Sequence, residues 1–149
     1  MDDYLQKILR ARVYDVAVET PLELAKNLSH RYQNRILLKR EDLQPVFSFK
    51  LRGAYNCMCQ LSRDELKKGV IASSAGNHAQ GVALSASHLR CRAVIVMPIT
   101  TPEVKVRTVK NHKAEVILHG DTYDEAYEKA IELSLKEGLS FIHPFDDPE

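Results

Sequence analysis

The chain has 149 residues, of which 44% are hydrophobic and 28% charged, and this composition is ordinary for a globular protein with one core. Its 21 Lys and Arg residues against 20 Asp and Glu residues give no basic stripe, so a nucleic-acid partner is not expected. No apolar run approaches the roughly 20 residues of a membrane span, the acidic start 1–4 does not resemble a secretory signal, and three cysteines without CxxC spacing indicate reduced thiols in the cytoplasm.

The amino-terminal part predicts two helices and one strand. Apolar residues at helical spacing predict a short amphipathic helix over 4–13. Thr20 and Pro21 are typical of an N-cap followed by proline in the first helical position, so a second helix is expected to extend to about Tyr32. The run 35–39 predicts a short buried strand, and the polar, proline-containing stretch 41–47 predicts a loop.

From Gly53 onward the pattern alternates regularly between helix and strand. Helices are predicted over 53–61, 63–68, 77–89, 101–112 and, from a capping box of Thr122 with Glu125, to about Gly138. Strands are predicted over 69–73, 92–97, 114–118 and 139–143. The predicted fold class is therefore α/β, with a parallel sheet of about four strands, helices on both faces and right-handed crossovers. Because ligands bind at the carboxyl ends of parallel strands, the loop after 69–73 is the expected site.

Small polar residues form that loop. The stretch Ser73, Ser74, Ala75, Gly76, Asn77, His78 leads into the helix predicted over 77–89. Small side chains let backbone N–H groups face outward, and the positive end of the helix dipole lies at the same place, so a carboxylate or phosphate can bind there. The competing interpretation is a tight turn in which Asn77 is only the N-cap, and the residues alone do not decide between them. Neither the P-loop nor the GxGxxG pattern is present.

Lys50 is the second candidate. Most lysines are solvated side chains, but Lys50 lies between aromatic residues, Phe47 and Phe49, and a second cation, Arg52. An apolar wall and a neighbouring positive charge both favour the neutral amine, which is the form that makes a Schiff base and later acts as a base.

Other chemistries have weaker support. The six histidines never occur as HExxH or with zinc-ligand cysteines, so no metal site is expected. No GxSxG elbow exists for a serine hydrolase. Glu41 and Asp42 are adjacent and diverge in direction, which favours a loop-stabilising or solvated role over a paired acid/base site. His78 is interpreted as a packed or hydrogen-bonding residue more readily than as a catalyst.

Two long motifs carry a resemblance. The stretches 39–54 and 73–81, together with 94–98, 118–120 and 144–148, closely resemble the threonine dehydratases (threonine deaminases) of the biosynthetic type, over essentially the whole chain. The resemblance implies the tryptophan-synthase β-like fold, with 1–47 as an amino-terminal segment of its large subdomain and 48–149 as its small α/β subdomain. It also implies a cytoplasmic homo-oligomer, a tetramer in the full-length family, that acts on small molecules.

The implied cofactor is pyridoxal 5'-phosphate. Lys50 matches the lysine that binds it covalently, Phe49 an aromatic residue of its pocket, and Asn77 the residue that bonds its phenolic oxygen. The loop from Ser73 to His78 matches the one whose amides take the substrate carboxylate. The implied reaction converts L-threonine into 2-oxobutanoate and ammonia, the first step of isoleucine biosynthesis, and L-serine is a second expected substrate. Serine racemases have a serine where this chain has Ala75, which favours elimination over racemisation.

The resemblance also sets an expectation about extent. In the family, the glycine-rich phosphate loop, the residue facing the ring nitrogen, most of the large subdomain and the regulatory domain lie beyond the position of Glu149. These 149 residues are therefore expected to be an amino-terminal fragment with weak or no activity alone. A catabolic serine/threonine dehydratase and a non-catalytic anion-binding module remain as alternatives.

Overall fold

The computed structural model of the chain describes residues 4–147, which form seven α-helices and six β-strands. The helices are α1 (Tyr4–Arg10), α2 (Lys26–Arg31), α3 (Lys50–Met58), α4 (Arg63–Lys68), α5 (Asn77–Leu89), α6 (Glu103–Asn111) and α7 (Tyr123–Glu137). The strands are β1 (Leu22–Leu24), β2 (Leu37–Lys39), β3 (Val70–Ser73), β4 (Ala93–Met97), β5 (Glu115–Leu118) and β6 (Ser140–Phe141). Short 3₁₀ turns cover Val13–Asp15 and Glu41–Leu43.

Four strands form one parallel sheet in the order β5-β4-β3-β6. The register pairs Ile71 with Val94 and with Phe141, and Val94 with Glu115. Every residue of the central strands β3 and β4 is buried, as expected where helices cover both faces of a parallel sheet. The predicted α/β fold with a four-stranded parallel sheet is confirmed.

Two apolar clusters lie on opposite faces of this sheet. On one face, Met58 of α3, Val82 of α5 and Val109 of α6 pack with alternate strand residues such as Ala72 and Ile95. On the other face, the remaining strand residues pack against α7, in a cluster of Ile71, Val94, Val96, Ala126, Ala130 and Leu139. Because successive strand side chains point to opposite faces, one strand serves both clusters.

The closest helix contact in this layer is between α3 and α5. A Cβ added to Gly81 of α5 would lie 3.2 Å from the backbone of Lys50 and Leu51 at the start of α3. A glycine at this point lets the two helix backbones approach, so α5, which follows the loop after β3, packs against the start of α3. This contact joins the two stretches that the sequence singled out.

The predicted second helix is wrong in part. Residues Leu22–Leu24 form a strand antiparallel to Leu37–Lys39, and the helix begins only at Lys26. Local capping signals at Thr20 and Pro21 are overridden because hydrogen bonds to a distant partner strand pair the backbone groups of 22–24. The strand predicted over 35–39 is present as β2 (Leu37–Lys39). Its three residues are exposed, so the prediction that this strand is buried is also wrong.

The β1–β2 sheet is separate from the four-stranded sheet and has leucine side chains on its surface, including Leu22 and Leu38. The division of the chain into a segment 1–47 and a small subdomain 48–149 stays a prediction. Within residues 4–147, none of the helices combines the length and the apolar character that crossing a membrane would require.

Two helices begin with complete capping boxes. Thr122 and Glu125 form the predicted one at α7, and Ser62 and Glu65 form a second at α4. At α4 the Ser62 hydroxyl accepts from the Glu65 N–H at 3.2 Å, and the Ser62 N–H donates to the Glu65 carboxylate at 2.7 Å. Each bond pairs an N–H group that the first helical turn leaves without an intrahelical partner.

Ser62→Ala is expected to lower the free energy of unfolding by about 1 kcal/mol, because the Glu65 N–H loses its acceptor. Urea denaturation followed by circular dichroism measures the change. Ser87→Ala, the same substitution at an exposed position inside α5, is the matched control and should cost nothing, since alanine is the better helix former. Equal midpoints for Ser62→Ala and the unmodified chain would contradict the role of this cap.

Candidate active site

Lys50 is the first residue of α3, and its backbone N–H and its side-chain amine each make a different hydrogen bond. Its N–H donates to the hydroxyl of buried Ser48 at 3.2 Å, which fixes the start of the helix. Its Nζ donates to the Pro144 carbonyl at 2.7 Å and lies 5.6 Å from the centre of the Phe49 ring, a cation–π distance. The lysine amine is therefore directed towards the segment that follows β6.

A cavity of about 340 Å³ surrounds this amine. Its lining includes Phe49, Ala54, Cys57, His78, His143 and Phe145. The volume is within the range of small-molecule pockets, and most of the exposed lining is apolar with a few polar groups directed inward, as such pockets require. The loop residues Ser73 to Asn77 do not line this cavity, although α5 packs directly on α3.

Two backbone N–H groups of the loop after β3 already donate hydrogen bonds within the protein. The Ser74 N–H donates to the Val96 carbonyl at 3.2 Å, and the Gly76 N–H donates to the Ser74 hydroxyl at 3.2 Å. Gly76 is the N-cap residue of α5, without a side-chain cap, so the interpretation of Asn77 as N-cap is wrong. Asn77 is instead the first helical residue, and its side chain is exposed. As at any helix start, the N–H groups of this first turn have no intrahelical acceptor, so they can bind an external one.

Ser73 lies at the carboxyl end of β3 and is fully buried. Its hydroxyl has no hydrogen-bond partner within residues 4–147. A buried hydroxyl without a partner costs free energy, so Ser73 carries an unused polar group next to the amides of the loop.

His78 is buried, as its interpretation as a hydrogen-bonding residue predicted. Its Nε2 lies 3.0 Å from the Ile142 carbonyl oxygen, and the neutral ring donates to that oxygen. Burial lowers the pKa of His78, and the nearby Lys50 adds to this, although the bond to Ile142 opposes both. His78 is therefore a neutral donor that joins α5 to the end of β6.

Two neighbours of Lys50 differ from their predicted roles. Phe47 does not line the cavity, and its side chain is 77% exposed. Arg52 donates to the Glu41 carboxylate at 2.8 Å and 3.0 Å, so its charge is paired and does not act on Lys50 as a free cation. Of the two aromatic residues expected to form an apolar wall beside Lys50, only Phe49 lines the cavity.

Glu41 stabilises the loop before Lys50, as predicted. Its carboxylate accepts from Thr20 at 2.6 Å as well as from Arg52 and Gln44, so one group ties together segments far apart in the chain. Asp42 faces the other way and pairs with Arg40 at 2.8 Å. The bonds from Arg52, with those from Thr20 and Gln44, lower the pKa of Glu41 to about 2.

This lowered pKa predicts acid sensitivity. Since the folded-state pKa of Glu41 is below its usual value, the carboxylate stabilises the fold fully above about pH 4.5, and that stability is lost as the pH falls towards 2. We expect Glu41→Gln to lower the free energy of unfolding by about 1–2 kcal/mol at pH 7. The difference from the unmodified chain should disappear near pH 2. Glu128→Gln, at an exposed position of α7, is the control and should have no effect at either pH.

Sequence reasoning missed the importance of the segment Ile142–Asp147. The Pro144 carbonyl accepts a hydrogen bond from the Lys50 amine, and His143 and Phe145 line the cavity. Cys57, for which the sequence predicts only a reduced thiol, also lines the cavity, two turns after Lys50 on the same helix. The sheet-edge rule could have indicated this segment, because residues 142–147 follow β6 at the same edge of the sheet as the loop 73–78.

Comparison with known proteins decides the family. The family described as "Pyridoxal-phosphate dependent enzyme" matches residues 13–149. The chain belongs to this family. Among curated relatives, a biosynthetic, chloroplastic threonine dehydratase of Arabidopsis thaliana is 63% identical over 147 residues, covering 99% of this chain and 25% of the relative. The chain therefore spans about a quarter of the length of such relatives.

Solved structures of this family share the fold. The processed form of threonine deaminase isoform 2 from Solanum lycopersicum matches with a TM-score of 0.94 and 60% identity, covering 97% of this chain and 40% of that one. Maize serine racemase matches with a TM-score of 0.90 and 28% identity, over 95% of this chain and 44% of that one. The sheet described above is thus the parallel sheet of the tryptophan-synthase β-like fold.

The residues around Lys50 fit the aldehyde and ring of pyridoxal phosphate. A primary amine in an apolar cavity of about 340 Å³, with an aromatic ring beside it, suits a flat heteroaromatic aldehyde. The unpartnered Ser73 hydroxyl and the open amides of α5 add polar groups at the adjoining sheet edge.

Proposed function

We propose that this chain contributes the lysine and the carboxylate-binding loop of a threonine dehydratase, which converts L-threonine to 2-oxobutanoate and ammonia at the start of isoleucine biosynthesis. The Lys50 amine, held inside an apolar cavity at the sheet edge, is the observation that carries the proposal. The identity of 63% to a biosynthetic threonine dehydratase supports the choice of reaction. The proposal includes a cytoplasmic location and assembly into a homo-oligomer.

Lys50 has two roles in this proposal. Its Nζ would hold the cofactor covalently, and in its free form Nζ would accept the proton from the substrate Cα. Pyridoxal phosphate, when bound, supplies the electron sink for the electron pair left by that proton. The β-hydroxyl and a proton equivalent to the one taken from Cα leave together as water, and hydrolysis of the resulting enamine gives 2-oxobutanoate and ammonia.

The remaining residues bind and orient. We propose that the loop of Ser73, Ser74, Ala75, Gly76, Asn77 and His78 surrounds the substrate carboxylate at the positive end of α5. The N–H groups at the start of the helix would donate to it, since those of Ser74 and Gly76 already bond within the protein. The Asn77 side chain, exposed at the helix start, would hold the phenolic oxygen of the cofactor, and Phe49 would form one wall of its pocket. Ala75 has no side-chain group that could deliver a proton, which supports elimination over racemisation.

Covalent trapping tests the first part of the proposal. The chain is incubated with pyridoxal phosphate, reduced with borohydride and digested, and the modified peptide is identified by mass spectrometry. The pyridoxyl group is expected on Lys50, with little on the exposed Lys67. Modification spread evenly over the surface lysines would contradict a dedicated site.

Product formation tests the second part. Because the chain spans about a quarter of the curated relatives, we propose that it turns over threonine weakly or not at all alone. The assay measures 2-oxobutanoate from threonine and pyruvate from serine, and the ratio of the two kcat/KM values separates a biosynthetic from a serine/threonine enzyme. Trapping at Lys50 without either product would support a cofactor-binding segment that needs further residues for catalysis.

A further inference from the structure

The segment that follows β6 forms a turn over the Lys50 amine. The Pro144 carbonyl accepts from Lys50 Nζ at 2.7 Å, although 94 positions separate the two residues in the chain. A lysine side chain is flexible and loses considerable rotamer freedom when held. A carbonyl that holds it must therefore itself be placed firmly.

His143 places that carbonyl. Its Nδ1 accepts from the Asp146 N–H at 2.8 Å and from the Phe145 N–H at 3.4 Å, so one ring nitrogen closes the turn that contains Pro144. Accepting these bonds requires an unprotonated Nδ1, which in the neutral ring leaves the proton on Nε2. We propose that His143 is a positioning residue whose Nδ1 folds the turn 143–146 and so holds the Pro144 carbonyl as the acceptor for the free Lys50 amine.

The beginning of this turn is anchored independently. The Ile142 N–H donates to the Ile71 carbonyl at 2.9 Å, and His78 bonds the Ile142 carbonyl at 3.0 Å. Residue 142 is thus fixed to the sheet on one side and to α5 on the other. Asp147, beyond the turn, accepts from the Cys57 thiol at 3.6 Å, so the part of the segment that depends on His143 is the turn 143–146.

Aromatic contacts hold the His143 ring in place. The Phe145 ring meets it edge to face at 4.7 Å between centroids, and the Tyr127 ring does so at 6.3 Å. The aromatic contacts need only the ring of His143, whereas the hydrogen bonds to the turn need its Nδ1 atom. The two contributions can therefore be separated by substitution.

This inference rests on the proposed role of Lys50 and adds how the free amine of that residue is kept in place. The free Lys50 amine has an acceptor inside the cavity, so it would stay close to a bound substrate when it must take a proton. Without the turn, the freed side chain samples many rotamers. His143 acts through Pro144 and does not need to touch the substrate.

The test compares substitutions that keep different parts of His143. His143→Asn places an amide oxygen close to the position of Nδ1 and removes the ring, while His143→Phe keeps the ring and removes the acceptor. His143→Gln carries its amide oxygen further out and serves as a second variant that lacks a correctly placed acceptor. His30→Phe, at an exposed position of α2, is the matched control. Circular dichroism establishes that each variant is folded.

The main measurement is the acetylation rate of Lys50 in the cofactor-free chain, with acetic anhydride as the probe and Lys67 as the internal reference. Loss of one hydrogen bond to the amine is expected to raise that rate about fivefold in His143→Phe and His143→Gln. His143→Asn and His30→Phe should match the unmodified chain. An unchanged rate in both His143→Phe and His143→Gln, or a rise in His143→Asn equal to theirs, would overturn the inference.

Borohydride trapping with pyridoxal phosphate provides the second measurement and separates two failures. If Lys50 is trapped but the acetylation rates do not follow the acceptor, the positioning role is wrong and the proposed function stands. If the acetylation rates follow the acceptor but Lys50 is never trapped, the turn acts as inferred and the proposed cofactor role is wrong.

Discussion

Lys50→Ala is expected to abolish covalent attachment of pyridoxal phosphate to the chain. The amine that forms the Schiff base is removed, and the absorbance band of the bound cofactor should disappear with it. In any preparation that turns over threonine, the rate should fall by at least about 10³-fold, because a positioned general base alone contributes about 10²–10⁴. Absorbance spectroscopy, borohydride trapping and a 2-oxobutanoate assay measure the three effects.

Two further variants show whether the chemistry or the charge of Lys50 matters. Lys50→Arg keeps the positive charge and much of the reach but cannot form a Schiff base, so it should fail as Lys50→Ala does. Lys67→Ala removes an exposed lysine of α4 and should behave like the unmodified chain. A cofactor band that survives in Lys50→Ala would show that another lysine is the site.

Gly81→Val is expected to destabilise the fold strongly, because α3 and α5 are in close contact at this glycine. The first added carbon would already lie 3.2 Å from the Lys50 and Leu51 backbone, and backbone atoms cannot rotate away as a side chain does. We expect a loss of about 3 kcal/mol in the free energy of unfolding. Displacement of the start of α3 should also reduce trapping of pyridoxal phosphate at Lys50.

Alanine at two glycines gives the matched comparison. Gly81→Ala should destabilise, since the close contact outweighs the gain in helix propensity. Gly53→Ala should stabilise by about 0.5–1 kcal/mol, because a Cβ there meets nothing within 4 Å and alanine favours the helix. Urea denaturation measures both. Stabilisation by both variants would show that the α3–α5 contact is looser than its distances indicate.

The βα part of the fold was predictable because its signals are local. Val70–Ser73, Asn77–Leu89 and Ala93–Met97 each begin and end within one residue of the predicted bounds, since apolar runs and helical stripes both reflect burial against the same core. Leu22–Leu24 was missed because its strand depends on hydrogen bonds to 37–39, and no signal inside the stretch reveals that partner.

The candidate site was predictable in its residues and less so in its contacts. Lys50 and the loop after β3 were found from their neighbours and from the sheet-edge rule. The pairing of Arg52 with Glu41 and the bond from Lys50 to Pro144 join residues 11 and 94 positions apart, and nothing in the local pattern specifies such pairs. The roles of Phe49, Asn77 and the 73–78 loop stay predictions until ligand binding is measured.

The small β1–β2 sheet has a consequence for how the chain opens. Two strands without a third are marginally stable in water, whereas β3 and β4 are buried and paired on both sides. Amide protons of 22–24 and 37–39 should therefore exchange with solvent deuterium much faster than those of β3 and β4. The amino-terminal region would open before the sheet that carries the lysine cavity, and limited proteolysis would cut there first.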